Sequence, residues 1–137
     1  MKRLLSAALA VLTFTGMATA IDPPNDPPAQ PQIGHMVFFK LKENSNENQA
    51  KLVAACKKYL SIHEGTVYFS VGPRGKDFKR DVNDQDWDVA LHLVFVNKGF
   101  HDKYSDHPEH LKFIDENKSN WEKVRVFDSE VRPIEKK

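Results

Sequence analysis

One cysteine, Cys56, stands in a chain of 137 residues, so no intrachain disulfide can staple the fold and its stability has to come from a packed core. Excess charge of either sign is also missing. The formal net charge is +1. Two of the positives are Lys2 and Arg3 at the extreme N-terminus, and the remainder is close to neutral. That balance, with no basic stripe interleaved with aromatics, speaks against a nucleic-acid partner or an anionic membrane surface. No apolar run reaches the roughly 20 residues that span a bilayer, so no stable membrane insertion is expected. There is no internal repeat and no phosphate loop. Gly72-Pro-Arg-Gly75 lacks the Gly-Lys-Ser/Thr ending and leads into a loop rather than a helix. Proline is scarce except in residues 21–32, which hold five of the eight.

What is present begins with a targeting pattern. Lys2 and Arg3 make a positive n-region, Leu4 to Phe14 an apolar h-region, and Ala18-Thr19-Ala20 has the small-x-small form of a signal-peptidase site. The expectation is a cleavable signal peptide over 1–20 and export to the periplasm or the extracellular space; an N-terminal core helix is the alternative. Residues 21–32 (IDPPNDPPAQPQ) have no apolar face to bury and read as a semi-rigid spacer. A single domain follows over 33–132, then a short tail, 133–137.

Periodicity divides that domain. Gly34 to Lys42 alternates as a strand, with His35, Val37, Phe39 and Leu41 on one face and Met36 and Phe38 on the other. Asn46 to His63 reads as an amphipathic helix capped by Asn44 or Ser45. Leu52, Val53, Cys56, Tyr59, Leu60 and His63 form its apolar stripe, and Gly65 ends it. Cys56 on that stripe reads as a buried, inert thiol. Thr66 to Gly72 is a second strand, and Pro73 to Asp86 is a loop whose basic and acidic residues balance. Trp87 to Val96 is the strongest strand, with Trp87, Val89, Leu91, Leu93 and Phe95 alternating. Lys98 to Asp106 and Glu109 to Asn117 are helices separated at Pro108, and Lys123 to Val131 is the last strand.

Strand, helix, strand, strand, helix, strand is the order of an α+β, ferredoxin-like βαββαβ domain with a four-stranded antiparallel sheet. Helices cover one face of such a sheet. The other is too apolar here to stay wet, and about 100 residues make a modest core. Two sheets placed face to face would bury it and enclose a cavity, giving a homodimeric α/β barrel.

Several residues can carry chemistry. His35 opens the first strand as a pocket-lining candidate, and His92 sits mid-strand on the face opposite Leu91 and Leu93. His101, Asp106, His107 and His110 are close in sequence, but Pro108 separates them and no second ligand cluster is evident, so the sequence names no metal site and no cofactor.

The segment from His35 (HMVFFKLK), the Gly72 loop, the strand from Asp88 to Phe95, Tyr104-Ser-Asp-His107-Pro108-Glu-His110 and the closing Trp121-Glu-Lys-Val-Arg-Val-Phe-Asp128 together resemble the stress-responsive α/β-barrel domain, over roughly residues 33–131. The resemblance implies a dimeric barrel built from two ferredoxin-like subunits. One plant member is a cofactor-free polyketide cyclase whose catalytic Tyr and His fall, by the same motif, on Tyr104 and His110; a pocket His falls on His35. The carry-over makes Tyr104 and His110 catalytic candidates and His35 a ligand-binding candidate; His107, in the same segment, and His92, by its place on the strand, are further ligand-binding candidates. A histidine that titrates near neutrality can act as general base and a phenol can orient or protonate an oxyanion. In a structural reading His110 instead hydrogen-bonds back to the helix start behind Pro108. The function expected is an exported homodimer that holds a small apolar or aromatic ligand. The alternatives are a cofactor-independent enzyme, cyclase-like or resembling the small monooxygenases of the same superfamily, and a structural partner protein tethered by its spacer.

Overall fold

The structure, a computed structural model, describes residues 30–134. The expected signal peptide, most of the spacer and the last residues of the tail lie outside the described residues. The elements are β1 (Gln32–Leu41), α1 (Asn46–Leu60), β2 (Thr66–Pro73), β3 (Val89–Phe95), α2 (Lys98–Ser105), α3 (Pro108–Asn117), a 3-10 turn (Lys118–Asn120) and β4 (Trp121–Val131). One antiparallel sheet runs β2-β3-β1-β4, the ferredoxin-like order.

Alternation along β1 sorts the two faces. Val37 pairs with Leu91 and Val126, and Phe39 with Val89 and Val124, so these side chains share the helix-covered face. There they pack with Leu52, Cys56 and Leu60 of α1 and Phe113 of α3. Leu60, Leu93 and Phe95 are wholly buried, each worth about 1.5–3 kcal/mol. Ser45 caps α1, its hydroxyl accepting from the Asn48 amide at 3.1 Å. Gly65 lies beyond the helix end at φ 78°, where a Cβ would meet the Phe100 ring at 2.2 Å; only glycine fits both constraints.

Trp87 departs from the expected alternation. The strand begins at Val89, because the buried Asp88 carboxylate turns inward to accept the Leu41 amide at 2.9 Å and its own amide donates to the Phe39 carbonyl at 2.8 Å. Trp87 thereby lands on the opposite face of the sheet, edge-on to Phe38 at 5.1 Å. The preceding loop is pinned as well. Asp86 bridges Lys40 and Lys123 at 2.8 and 2.9 Å, and Asp84 takes Arg125 at 2.6 Å. The rest of that face carries Met36, His92 and Val94, with Tyr68 and Phe127 each 53% exposed.

Candidate functional site

The α2–α3 break builds the site. Asn97 caps α2 by accepting from the Phe100 amide, and the helix runs to Ser105. Pro108, with no N–H to place, then starts α3 at its first turn. His107 is the cap of that helix: its Nδ1 accepts from the Glu109 amide at 3.2 Å. One turn on, His110 reaches back across the break, with Nδ1 2.9 Å from the Ser105 carbonyl oxygen. A carbonyl only accepts, so Nδ1 carries the hydrogen and Nε2 is a bare acceptor. Burial holds the His110 pKa below the usual imidazole value, against the pull of that carbonyl.

Tyr104, buried in the last turn of α2, has its ring centroid 4.5 Å from His110, 5.0 Å from Phe95 and 5.7 Å from His35. Burial raises its phenol well above the ordinary value, and the nearby Cys56 adds to the effect. His35 is buried too, and its Nδ1 lies 2.6 Å from Asp128 Oδ1 on β4. Desolvation lowers the His35 pKa, and Asp128 acts in the opposite direction.

These three side chains line a cavity of about 200 Å³ between the sheet and the helices. His35, Tyr104 and His110 lie toward one end; Phe39, Phe113 and Trp121 pack together toward the other. Val124 and Val126 of the edge strand form a partly exposed flank. The indole N–H of Trp121 is buried with no hydrogen-bond partner among the described residues.

The five residues singled out from the sequence therefore do not make one site. His35, Tyr104 and His110 meet at the cavity. His107 lies outside it, its ring 4.7 Å from that of His63. His92 lies on the other face of the sheet against Phe38 at 6.0 Å. This cavity sits inside one chain, beneath its own helices, on the face of the sheet opposite the one expected to meet a second subunit. The reason is the break at Pro108, which turns both Tyr104 and His110 inward. Nor do His101, Asp106, His107 and His110 converge: His110 bonds to Ser105, His107 caps α3, and His101 faces Asp102 and Asp128. Sequence reasoning missed Trp121, Val124 and Val126 as lining residues and missed Asp128 as the partner of His35. The antiparallel β1–β4 register was the one signal that could have paired them.

Residues 33–131 match the family described as the Stress Responsive A/B Barrel Domain. Among solved structures, a dabb family protein with a ferredoxin-like fold from Mesorhizobium loti is 26% identical. The match covers 77% of this chain and 99% of that one, with a TM-score of 0.61. A hydroxynitrile lyase from Passiflora edulis is 19% identical over 78% of this chain and 98% of its own, with a TM-score of 0.62. A dimeric ferredoxin-like protein of unknown function from Thermobifida fusca is 13% identical over 78% and 97%, with a TM-score of 0.61. The last two show likeness of fold alone. Comparison with curated proteins gave no match.

Proposed function

The chain belongs to the stress responsive A/B barrel domain family, and on that premise we propose that it is an exported homodimer that binds a small apolar or aromatic molecule in the cavity of each subunit. The observation that carries the ligand reading is the composition of that cavity: apolar walls with His35, Tyr104 and His110 gathered toward one end. Pockets of that kind take an apolar body and orient it by a few polar contacts. An apolar cavity of about 150 Å³ accepts benzene, so about 200 Å³ suits one substituted ring or a short acyl chain. The oxygen-bearing end would face the histidines and the phenol.

Dimerisation is supported by the other face of the sheet. Phe38, Phe127, Tyr68 and Met36 form an incompletely covered apolar surface there, and the Thermobifida fusca protein of the same fold is described as dimeric. Export rests on residues 1–20, and N-terminal sequencing of the accumulated protein tests it: a chain still beginning at Met1 overturns it.

One observation favours a second reading, a cofactor-independent enzyme of cyclase-like or small monooxygenase-like type. The Ser105 carbonyl fixes His110 with Nε2 unprotonated, and burial keeps the ring neutral, the state required of a general base. Tyr104 would orient or protonate the developing oxyanion. The Passiflora edulis enzyme supports only that this fold can carry turnover.

Native mass spectrometry of the protein purified from its own host tests the main reading. A dimer carrying one small-molecule mass per subunit is the expected result. A bare monomer overturns the dimer. A bare dimer that no small aromatic or acyl compound stabilises against heat overturns ligand binding.

A further inference from the structure

We propose that His35, His101 and Asp128 form a binding site for one divalent transition-metal ion of the zinc type. This goes beyond the ligand reading and does not depend on it.

The three residues come from three elements. His35 on β1 and Asp128 on β4 are direct partners in the ladder. His101, one turn before Tyr104 on α2, leans over the same point, its ring 5.1 Å from that of His35. His35 Nδ1 lies 2.6 Å from Asp128 Oδ1, and His101 Nε2 lies 3.6 Å from the same oxygen. One ligand atom from each residue lies within 4.8 Å of the others. Zinc bonds of about 2.0–2.2 Å in a tetrahedron put ligand atoms roughly 3.3 Å apart, so side-chain adjustments of about an ångström complete the set.

A simple His–Asp hydrogen bond accounts for His35 and Asp128 but leaves His101 unexplained. Its Nε2 is buried without a hydrogen-bond partner among the described residues, and 3.6 Å to Asp128 is too long for one. Its other nitrogen is committed: Nδ1 lies 3.3 Å from Asp102 Oδ1, and Lys98 holds that carboxylate at 2.5 Å. A carboxylate behind Nδ1 keeps the hydrogen there and turns the lone pair of Nε2 forward, the arrangement by which proteins orient metal-binding histidines. His101 and Asp128 side chains are 17% and 48% exposed, so an ion can enter past the carboxylate and keep a position open to solvent. Two imidazoles and one carboxylate, without thiolate, suit zinc, cobalt or nickel better than calcium or copper(I). His35 also lines the cavity, which places the ion beside its polar end.

The test uses the full chain stripped with a chelator and titrated calorimetrically with zinc, with no organic ligand present, and then with cobalt while the visible spectrum is recorded. One equivalent per chain is expected, with cobalt bands of low coordination number. His101→Ala and Asp128→Asn should each weaken binding by more than about tenfold, Asp102→Asn by about 10–100-fold, and His92→Ala not at all. Absence of saturable binding overturns the proposal, as does unchanged affinity in the His101 and Asp128 variants. Should a variant misfold, nitrogen NMR of the unaltered protein decides: zinc must shift His35 Nδ1 and His101 Nε2, and no shift there overturns the site.

Discussion

The rings of Tyr104 and His110 lie 4.5 Å apart, one on each side of the break between α2 and α3. Neither helix alone could bring them together. The contact exists because Pro108 restarts the chain and His110 then anchors on Ser105, at the end of the helix that carries Tyr104.

Tyr104→Phe and His110→Ala should both fold. In the binding reading each lowers ligand affinity by about five- to tenfold, the loss of one ordinary hydrogen bond. In the enzyme reading turnover falls by about 10²–10⁴ while binding persists. Calorimetry alongside a turnover assay on the bound compound separates the two.

Phe127→Glu places a charge on the uncovered face of the sheet, where Phe127 meets Phe38 with ring centroids 5.8 Å apart. Sedimentation should show a monomer in place of a dimer, with the helix-covered core intact by circular dichroism. An unchanged dimer would move the interface elsewhere.

Asp86 should keep its charge in acid. Hydrogen bonds from Lys40 and then Lys123 pull its pKa down to about 2. A depressed carboxyl contributes fully above its ordinary value and loses that contribution as pH falls through the folded one. The anchor of the 74–88 loop should therefore hold at pH 4 and release only towards about pH 2. A carboxyl carbon titration by NMR checks this, and Lys40→Met should move the midpoint upward.

Cys56 should resist thiol reagents in the native state. Burial pushes its thiol up to about 12, which leaves almost no thiolate at neutral pH. Labelling should appear only on adding denaturant. Rapid labelling of the native protein would contradict the packing of α1.

Much of the fold was legible because local patterns and tertiary demands agree. The alternation of Val37, Phe39, Val89, Leu91 and Leu93 survives into the sheet, and Ser45 and Pro108 mark helix starts by chemistry that acts within a few residues. Trp87 was misread because alternation carries no information about a turn that a distant amide enforces, here Leu41 on Asp88. The site was half legible. Tyr104 and His110 share one short segment and were found together. Asp128 and His101 depend on the β1–β4 register and on how α2 lies over the sheet, which no local pattern encodes. The side of the sheet that holds the cavity was hidden for the same reason.

Val126, 49% exposed although it lies on the helix-covered side, has a consequence for selectivity. The helical layer stops short of the edge strand, so a bound ligand would be enclosed at its head and uncovered along one side. Discrimination should be strict for the part that meets Tyr104 and His110 and lax for whatever extends past Val124 and Val126. A homologous series lengthened at that tail should show nearly level affinity, while moving a single oxygen at the head should cost at least the roughly five- to tenfold of one hydrogen bond.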